Sequence, residues 1–553
     1  EIKLDGKSLL KRKIEAKPLQ TLSDSIRMEK PSGKLSIALL QQQLEWSSDP
    51  EFKTLSRPLD APKPFDWTSA DGLAIQAKEL MDQKMFMEAG LKLKESLSKN
   101  PNGILGLVKS AELEVRNGNF SMAVEHAQKA ISFDAHHPAA NYYYGLSAAH
   151  LGKEADAFEG FGVASLGVEF RSAAYVEMAK LYAKKSNWSS VLEYTEKALD
   201  YNRNNVTAIT LKVLALRKLG NIVQSATLLE ALGASQPLNL FYKWEASISS
   251  SKDPSSVSLK NELPEESLLE LAALYDELGL AEESARVLGM LPNHPLALYN
   301  LAYIKRNDEG ASVQLLNKAN GLATLMVFPF RTEHIPVLQW VVTKTNHWKA
   351  KYYVALLLHD KNKPDEAFAM LDRLAQHHPQ FSQLFLERGL CHVARRDAPA
   401  AISDLRVAVM LNTALLMGWH MLVGLYRMTG DAKSAEVAAK HVAHLTSVPP
   451  PIVQAKVLFG DGEVDEAEMQ IRRFLLEFGD HPEAMRLLAQ IGHMRNVLDD
   501  AETLYAGVLA MVPDHYEARR EYVQVLIARH KFPQAREALE PLLKVDPAAH
   551  PHR

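Results

Sequence analysis

Residues 116–134 read RNGNFSMAVEHAQKAISFD, and this stretch carries the pattern that decides the fold. A turn containing Gly and Asn is followed by an aromatic residue, then by Ala123, and then by a further Ala seven positions later. Residues 151–167, LGKEADAFEGFGVASLG, and residues 185–202, KSNWSSVLEYTEKALDYN, repeat the pattern with variations. Because residues three, four and seven apart share one face of a helix, each stretch predicts the second helix of a helix–turn–helix unit.

The unit recurs at a constant interval along the N-terminal half. The small residue near the start of each second helix, called the anchor below, falls at Ala89, Ala123, Ala157, Val191 and Ser225. Twelve residues before these anchors lie Ala77, Ala111, Gly145, Ala179 and Val213, and seven residues after three of them lie Ala130, Ala164 and Ala198. Small side chains in phase predict places where paired helices cross closely. In period and layout the chain resembles the tetratricopeptide repeat (TPR).

The same period returns in the C-terminal half. Its anchors are Ala367, Ala401 and Ala435, then, after a slip of register, Ala467, Ala501 and Ala535. Pro379, Pro513 and Pro547 each follow an anchor by twelve residues, where a proline is expected to end the second helix. One further unit centres on Ser284. Residues 291–347 are irregular, with VFPFRTEHIP as a breaker, so we expect an inserted loop and weak coupling between the arrays there.

The N-terminal 62 residues follow a different pattern. Apolar residues alternate at Ile2 and Leu4 and at Leu35, Ile37 and Leu39, which predicts short strands. Residues 56–67, SRPLDAPKPFDW, read as a Pro-rich linker. The predicted organisation is a strand-rich remnant with its linker at 1–62, an N-terminal TPR array at 63–240, an irregular TPR-like segment at 241–347 and a C-terminal TPR array at 348–553.

Composition narrows the functional classes. The chain has 553 residues, 47% of them hydrophobic, and a net charge of −4, which argues against a general binder of nucleic acid or anionic membrane. No stretch reaches the roughly 20 apolar residues of a membrane helix. The one cysteine, Cys391, is expected to be a packing residue, and a chain so poor in cysteine favours a reducing, cytoplasmic setting.

Two family resemblances cover different parts of the chain. Residues from about 1 to 375 resemble the C-terminal part of large bacterial proteins of unassigned function, in which a mutarotase-like β-sandwich precedes TPRs. The segments that carry this resemblance include RPLDAPKPFDW (57–67), HHPAANYYYGLSAAHLG (136–152), FRSAAYVEMAKLY (170–182), ALDYNRNNVTA (198–208), KNELPEESLLELAALYDELG (260–279), NHPLALYNLAYI (293–304), FPFRTEHIPVLQWVV (328–342) and WKAKYYVALLLHDKNKPDEA (348–367). The resemblance implies that the strands before Trp67 are the last ones of that β region.

Residues from about 380 to 553 are similar to the N-terminal TPR array of bacterial TPR–sulfotransferases. The carrying segments are EMQIRRFLLEFGDHPEAMRLLAQIG (468–492), DDAETLYAGVLAMVPDHYEARREYVQVLIARHKFPQA (499–535) and LEPLLKVDP (539–547). In that family a catalytic domain follows and binds the sulfate donor through a loop rich in Gly, Arg, Ser and Thr. The sequence contains no such loop, so the resemblance transfers no catalytic residue.

Two sets of residues are candidates for partner binding. Tyr142 and Tyr143, and likewise Tyr352 and Tyr353, lie on predicted first helices, where they either face the groove or pack within the array. Arg486 and Arg520 are separated by one repeat period, as are Gln490 and Gln524, so the four occupy equivalent places in adjacent repeats. This basic ladder is either a site for an acidic peptide or a solvated face.

The sequence therefore predicts an all-α protein, a right-handed TPR-type superhelix of about a dozen helix pairs with a short β remnant. The favoured function is a non-catalytic scaffold that holds a protein or peptide partner, of acidic character at the ladder, in its concave groove. The alternatives are the substrate-positioning part of a glycan-processing or sulfotransferase enzyme, and a solenoid that self-assembles through its ends. No nucleotide-binding, metal-binding or nucleophile motif occurs, so we expect no catalytic residue, no cofactor and no metal.

Overall fold

The computed structural model describes residues 1–15, 23, 25–27, 32–39, 44–49, 65–249 and 263–545. The chain divides into two compact units, Glu1–Gly72 and Leu73–Arg553. Most of the predicted linker and Pro547 lie outside the described residues. None of the helices in the described ranges combines the length and the apolar character that a membrane span requires.

The first unit contains a four-stranded antiparallel sheet with strand order β2-β1-β3-β4. The strands are β1 (Ile2–Leu4), β2 (Lys7–Leu10), β3 (Leu35–Leu39) and β4 (Leu44–Ser47). The strand predictions from the two alternating stretches are confirmed by β1 and β3. The hairpin from β1 to β2 was not predicted, although its sequence signal is present. Asp5 and Gly6 both have positive φ, at 48° and 80°, as the favoured two-residue hairpin turn requires.

The described part of the second unit is helical, which confirms the all-α prediction for this region. The helices up to residue 249 are α1 (Ala70–Asp82), α2 (Phe86–Lys99), α3 (Ile104–Arg116), α4 (Phe120–Phe133), α5 (Pro138–His150), α6 (Glu154–Ala164), α7 (Val168–Lys184), α8 (Trp188–Tyr201), α9 (Val206–Lys218), α10 (Ile222–Ser235) and α11 (Leu240–Ser249). The next are α12 (Pro264–Glu277), α13 (Ala281–Leu288), α14 (Pro295–Ile304), α15 (Glu309–Gly321), α16 (His334–Lys344), α17 (Trp348–Asp360) and α18 (Pro364–His377). The last are α19 (Ser382–Ala394), α20 (Ala398–Leu411), α21 (Leu416–Thr429), α22 (Ala432–Ser447), α23 (Pro450–Gly460), α24 (Val464–Phe478), α25 (Pro482–Met494), α26 (Leu498–Met511), α27 (Tyr516–Ala528) and α28 (Phe532–Val545).

Helices pair in sequence, α1 with α2 and onward to α27 with α28, except that α11 and α16 stand between pairs. Every predicted anchor is the fourth residue of a second helix and is buried, from Ala89 in α2 to Ala535 in α28. Ser284 holds the same place in α13. The predicted repeat register is therefore correct through both arrays.

The turn inside each of these pairs has a residue in the left-handed conformation five positions before the anchor. At Gly118, Gly152, Gly220, Gly279, Gly430 and Gly462 that residue is glycine, whereas Lys84, Ser186, Asn362, Arg396, Asn496 and His530 adopt it elsewhere. The turn geometry is thus constant while the residue type varies, so glycine alone is an incomplete signal for the turn.

Helices α5 and α6 cross closely at two glycines. A Cβ at Gly145 would lie 2.8 Å from the ring of Phe161, and a Cβ at Gly160 would lie 2.7 Å from the carbonyl oxygen of Asn141. The two glycines also face one another, because that same Cβ at Gly160 would lie 3.0 Å from Gly145 Cα. Backbone therefore packs directly on backbone, and any side chain at these positions would force the helices apart.

Among the described residues, the largest hydrophobic core includes side chains from Val176 to Cys391. It passes through the segment 291–347, where the sequence predicts weak coupling, because α14 packs on α15 and α16 packs on α14 and α17. Cys391 is fully buried in this core, which agrees with its predicted role as a packing residue. Burial also raises the pKa of its thiol to about 12. The flanking arrays contain smaller successive cores.

We predict that replacing Gly160 with Ala destabilises the N-terminal array by about 1–3 kcal/mol, in spite of alanine's better helix propensity. Gly145→Leu should cost at least as much. Gly162→Ala is the matched control on the same helix, because only the methyl of Met178, 3.7 Å away, approaches a Cβ there. The measurement is chemical unfolding followed by circular dichroism, and equal stability of the Gly160 and Gly162 variants would contradict the crossing geometry.

We predict that unfolding is not a single two-state transition, since each repeat contacts mainly its neighbours. Hydrogen exchange should be slowest in the largest core and faster in α27 and α28, which share only a small core. Uniform protection from α3 to α28 would contradict this expectation.

Candidate functional site

First helices line the inner face of the arrays. They contact one another in succession, α3 with α5, α5 with α7 and α7 with α9, and again α23 with α25 and α25 with α27. Second helices make no comparable contacts with one another among the described residues. The first helices thus lie on the inside of the curve, where the partner-binding residues are predicted.

Tyr142 and Tyr143 are half-buried in an aromatic cluster rather than open on this face. Their rings meet edge-on at 5.6 Å between centroids, and the ring of Phe170 lies 5.1 Å from that of Tyr142. Burial is the main cause that raises the pKa of both phenols. Both rings therefore pack within the array, and their proposed contact with a partner stays a prediction.

Tyr352 and Tyr353 do not reach the surface, and the prediction that they face a groove is not supported. Their exposed fractions are 2% and 0%. Tyr352 packs edge-on against Phe381 with 5.5 Å between ring centroids, and Tyr353 packs against Tyr299 at 6.0 Å. Aromatic rings at these two positions fill the space between α17 and its neighbours, which explains their burial.

The first half of the basic ladder is already paired. Arg486 donates from Nε and Nη2 to the two carboxylate oxygens of Glu521, at 2.9 and 2.7 Å. Gln490 donates to Oε1 of the same carboxylate at 2.8 Å. Glu521 lies on α27, the next first helix, and is only 9% exposed. The pair is therefore an interhelical contact that holds α25 to α27.

Arg520 and Gln524, the other half of the ladder, are exposed. The spacing of one repeat period does place them at the equivalent positions of α27, yet no ion pair with an acidic side chain is seen for Arg520 within the described ranges. The two halves of the ladder differ because Arg486 has an acidic partner, Glu521, in the following repeat. Glu521 lies one position beyond the repeat spacing that links Arg486 to Arg520, so an acidic residue next to that spacing is the sequence signal for this contact.

We predict that Arg486→Met destabilises the C-terminal array by about 3 kcal/mol, because it leaves the Glu521 carboxylate buried without its cation. Arg520→Met is the matched control and should change stability by less than about 0.5 kcal/mol. The stability changes of both variants are measured by urea unfolding and by local hydrogen exchange in α25 and α27. Similar effects from the two variants would mean that the pair contributes no more than a surface contact.

The central loop, residues 322–333, is the irregular feature that the breaker segment predicts. Two buried lysines hold it: Lys349 Nζ donates to the carbonyl of Leu322, and Lys361 Nζ donates to the carbonyl of Phe330, both at 2.5 Å. Lys349 also pairs with Glu463 at 2.8 Å. The loop is thus fixed between α17 and the turn before α24.

Three open cavities flank the central loop. One of about 340 Å³ lies between Phe328, Phe330 and residues of α17 and α19, including Asp360 and Glu387. A second, of about 710 Å³, lies between the loop and the first turns of α12 and α24, and a third of about 430 Å³ adjoins it along α24. Several loop residues at the cavity mouths are exposed, with exposed fractions of 40% for Met326, 42% for Phe328 and 39% for Phe330.

This surface was missed by sequence reasoning. The breaker segment was recognised as a loop, but its cavity walls come from helices that are distant along the chain, and they include Glu265 and Glu466. Among the described residues, no group of three or more His, Cys, Asp or Glu side chains is placed to hold a metal ion.

The helix pairs, the constant turn and the repeat register are those of a known repeat. Models described as tetratricopeptide repeat match residues 108–162, 347–413, 452–516 and 497–553. The chain contains tetratricopeptide repeats. No curated protein matches it.

Two solved structures are similar to this chain, both with low superposition scores. The APC/C hetero-tetramer Cut9–Hcn1 shares 14% identity over 87% of this chain and 94% of that chain, with a TM-score of 0.25. Naa15/Naa10 bound to HypK-THB shares 12% identity over 85% of this chain and 68% of that chain, with a TM-score of 0.24. At these scores neither similarity supports a conclusion about the function of this chain.

Proposed function

We propose that this TPR chain is a non-catalytic scaffold that binds segments of partner proteins in the cavities beside the central loop. Stacked helix pairs provide extended surfaces to which a peptide can bind without a conformational change of the whole array. The observation that carries the proposal is the loop itself. It is held rigidly by buried lysines, yet Met326, Phe328 and Phe330 expose apolar surface beside open cavities.

The cavities suit side chains of a peptide. Sites that bind ligands are concave and mostly apolar, with a few polar groups that set orientation, and volumes of roughly 300–1,000 Å³ are typical. The cavity at Phe328 and Phe330 combines their rings with the carboxylates of Asp360 and Glu387. Aromatic and methionine side chains at such places supply contact area to a bound segment.

The other predicted surfaces offer fewer accessible side chains to a partner. Tyr352 and Tyr353 are buried, and Arg486 is occupied by Glu521. An acidic partner at the ladder would be limited to Arg520 and Gln524, which are exposed. The central loop is therefore the better-supported place for a partner.

The test is a random 12-residue peptide display library screened against the full chain, followed by photocrosslinking of the enriched peptides. Benzoylphenylalanine replaces Phe328 in one variant and Val223 in the control; Val223 is 80% exposed on α10 and lines none of the three cavities. We expect peptides with micromolar affinity, about −8 kcal/mol of binding free energy, that crosslink from position 328 and not from 223. Failure to enrich any peptide, or equal crosslinking from both positions, would contradict the proposal.

A further inference from the structure

The 710 Å³ cavity has a chemical character of its own. It is formed by the first turn of α12, the turn between α13 and α14, the central loop and the first half of α24. The adjoining 430 Å³ cavity shares Leu325, Met326, Gln454, Glu466 and Met469 with it. The two together make one continuous trough, called the acidic trough below. Arg473 and Glu477, one of each charge, line only its smaller part.

The larger part of the trough carries negative charge that is only partly compensated. Glu265, Glu266 and Glu466 line it, and no Lys or Arg is among the described residues there. Arg331 approaches the Glu266 carboxylate only to 3.8 Å, which is too long for a hydrogen bond, and it lies equally far from Glu270. Each of the three lining carboxylates stands in the first turn of a helix, where the helix dipole accounts for an acidic residue, so charge alone does not make a site.

His294 provides the second, independent observation. It lines the trough, it is only 8% exposed, and neither of its ring nitrogens has a hydrogen-bond partner. His137, His347, His481 and His515 are N-cap residues, each directly before the first residue of a helix, and their Nδ1 atoms accept a backbone N–H at 3.2 to 3.4 Å. His294 is the N-cap residue of α14 and makes no such bond.

Both carboxylate oxygens of Glu266 are also buried without a hydrogen-bond partner. A buried polar atom without a hydrogen-bond partner is unfavourable, and more so when it is charged, so a ligand that brings N–H donors is favoured here. Burial raises the pKa of Glu266 and lowers that of His294 to about 4, which keeps the imidazole neutral near pH 7 with one nitrogen free to accept.

The remaining walls are apolar and adaptable. Met290, Met326 and Met469 line the trough together with Leu291 and Leu325, and Met469 is 55% exposed. Methionine side chains adjust to irregular apolar surfaces and are frequent where different peptide sequences must be accommodated. Acidic groups among methionines match a segment whose basic and apolar side chains alternate along one helix face.

We propose that the acidic trough binds a basic amphipathic segment of a partner protein. Arg or Lys side chains of the segment meet Glu265, Glu266 and Glu466 and donate to His294, while its apolar side chains pack on the methionines. This inference rests on the proposed function, of which it specifies the partner chemistry. The charge of this basic segment is opposite to that of the acidic partner that the basic ladder predicts.

The experiment measures fluorescence polarisation of three labelled 18-residue peptides with the full chain. The first is an amphipathic Lys/Leu helix, the second carries Glu in place of each Lys, and the third is a Lys/Ser peptide of equal charge without apolar residues. We expect the first to bind at least tenfold more tightly than either of the others, with an affinity that weakens as salt is raised.

Variants locate the site. Glu265→Gln with Glu466→Gln should weaken binding of the Lys/Leu peptide about tenfold, and the double Glu→Lys variant should abolish it. Glu537→Lys, on an exposed residue of α28 outside the trough, is the charge control and should leave binding unchanged. Circular dichroism and the melting temperature show that each variant folds. Both double variants alter helix first-turn residues on the cavity wall rather than residues of the hydrophobic cores, so we expect them to keep the fold.

The outcomes separate this inference from the proposed function. If an uncharged apolar peptide binds as tightly and crosslinks beside Met469, the chain is a peptide-binding scaffold but the basic specificity is wrong. Competition by spermidine at micromolar concentration would point to a small polycation and would also overturn the inference. An unchanged affinity in the Glu→Gln double variant would remove the trough as the site. If none of the three peptides binds while the display library yields peptides that crosslink from position 328, this inference fails and the proposed function stands. If neither assay detects binding, both proposals fail.

Discussion

Two helices can pack with their backbones in contact only where neither carries a bulky side chain, and the architecture of this protein depends on that constraint. Gly145 and Gly160 meet in this way between α5 and α6. At most anchors the small residue is alanine, whose exposed fraction there is 0–5%. Because the close approach recurs at the same place in each repeat, the angle between paired helices is set locally and the array extends by repetition.

Repetition alone would leave an open chain of helix pairs, but here distant parts of the second unit also contact one another. Arg116 at the end of α3 donates to the carbonyl of Asp360, 244 residues further along, at 3.0 Å. Lys180 lies 3.1 Å from Glu277, and Lys218 lies 2.6 Å from Glu283. These contacts join the ends of N-terminal first helices to the central helices, and they explain why Leu73–Arg553 forms one compact unit.

The central loop is likewise held in place by contacts between separate parts of the second unit. An irregular segment of twelve residues leaves many backbone groups without helical partners, and such groups require partners when they are covered. Buried Lys349 and Lys361 meet part of this requirement, with Glu463 as a counter-charge for the first. The arrangement keeps apolar side chains of the loop at the surface, where they border the cavities in which we propose that a partner binds.

The repeat register was predictable from sequence alone because it depends on side-chain size at fixed intervals, a local property. From Ala89 to Ala535 each predicted anchor occupies its place, and strands β1 and β3 follow from simple alternation. The residues of the proposed binding surface were not predictable in this way. Whether Tyr352 is buried, whether Arg486 meets Glu521, and whether Glu265 faces Glu466 depends on how separate repeats approach one another. Periodicity specifies which face of a helix a residue occupies, whereas only the tertiary structure decides what lies opposite that face.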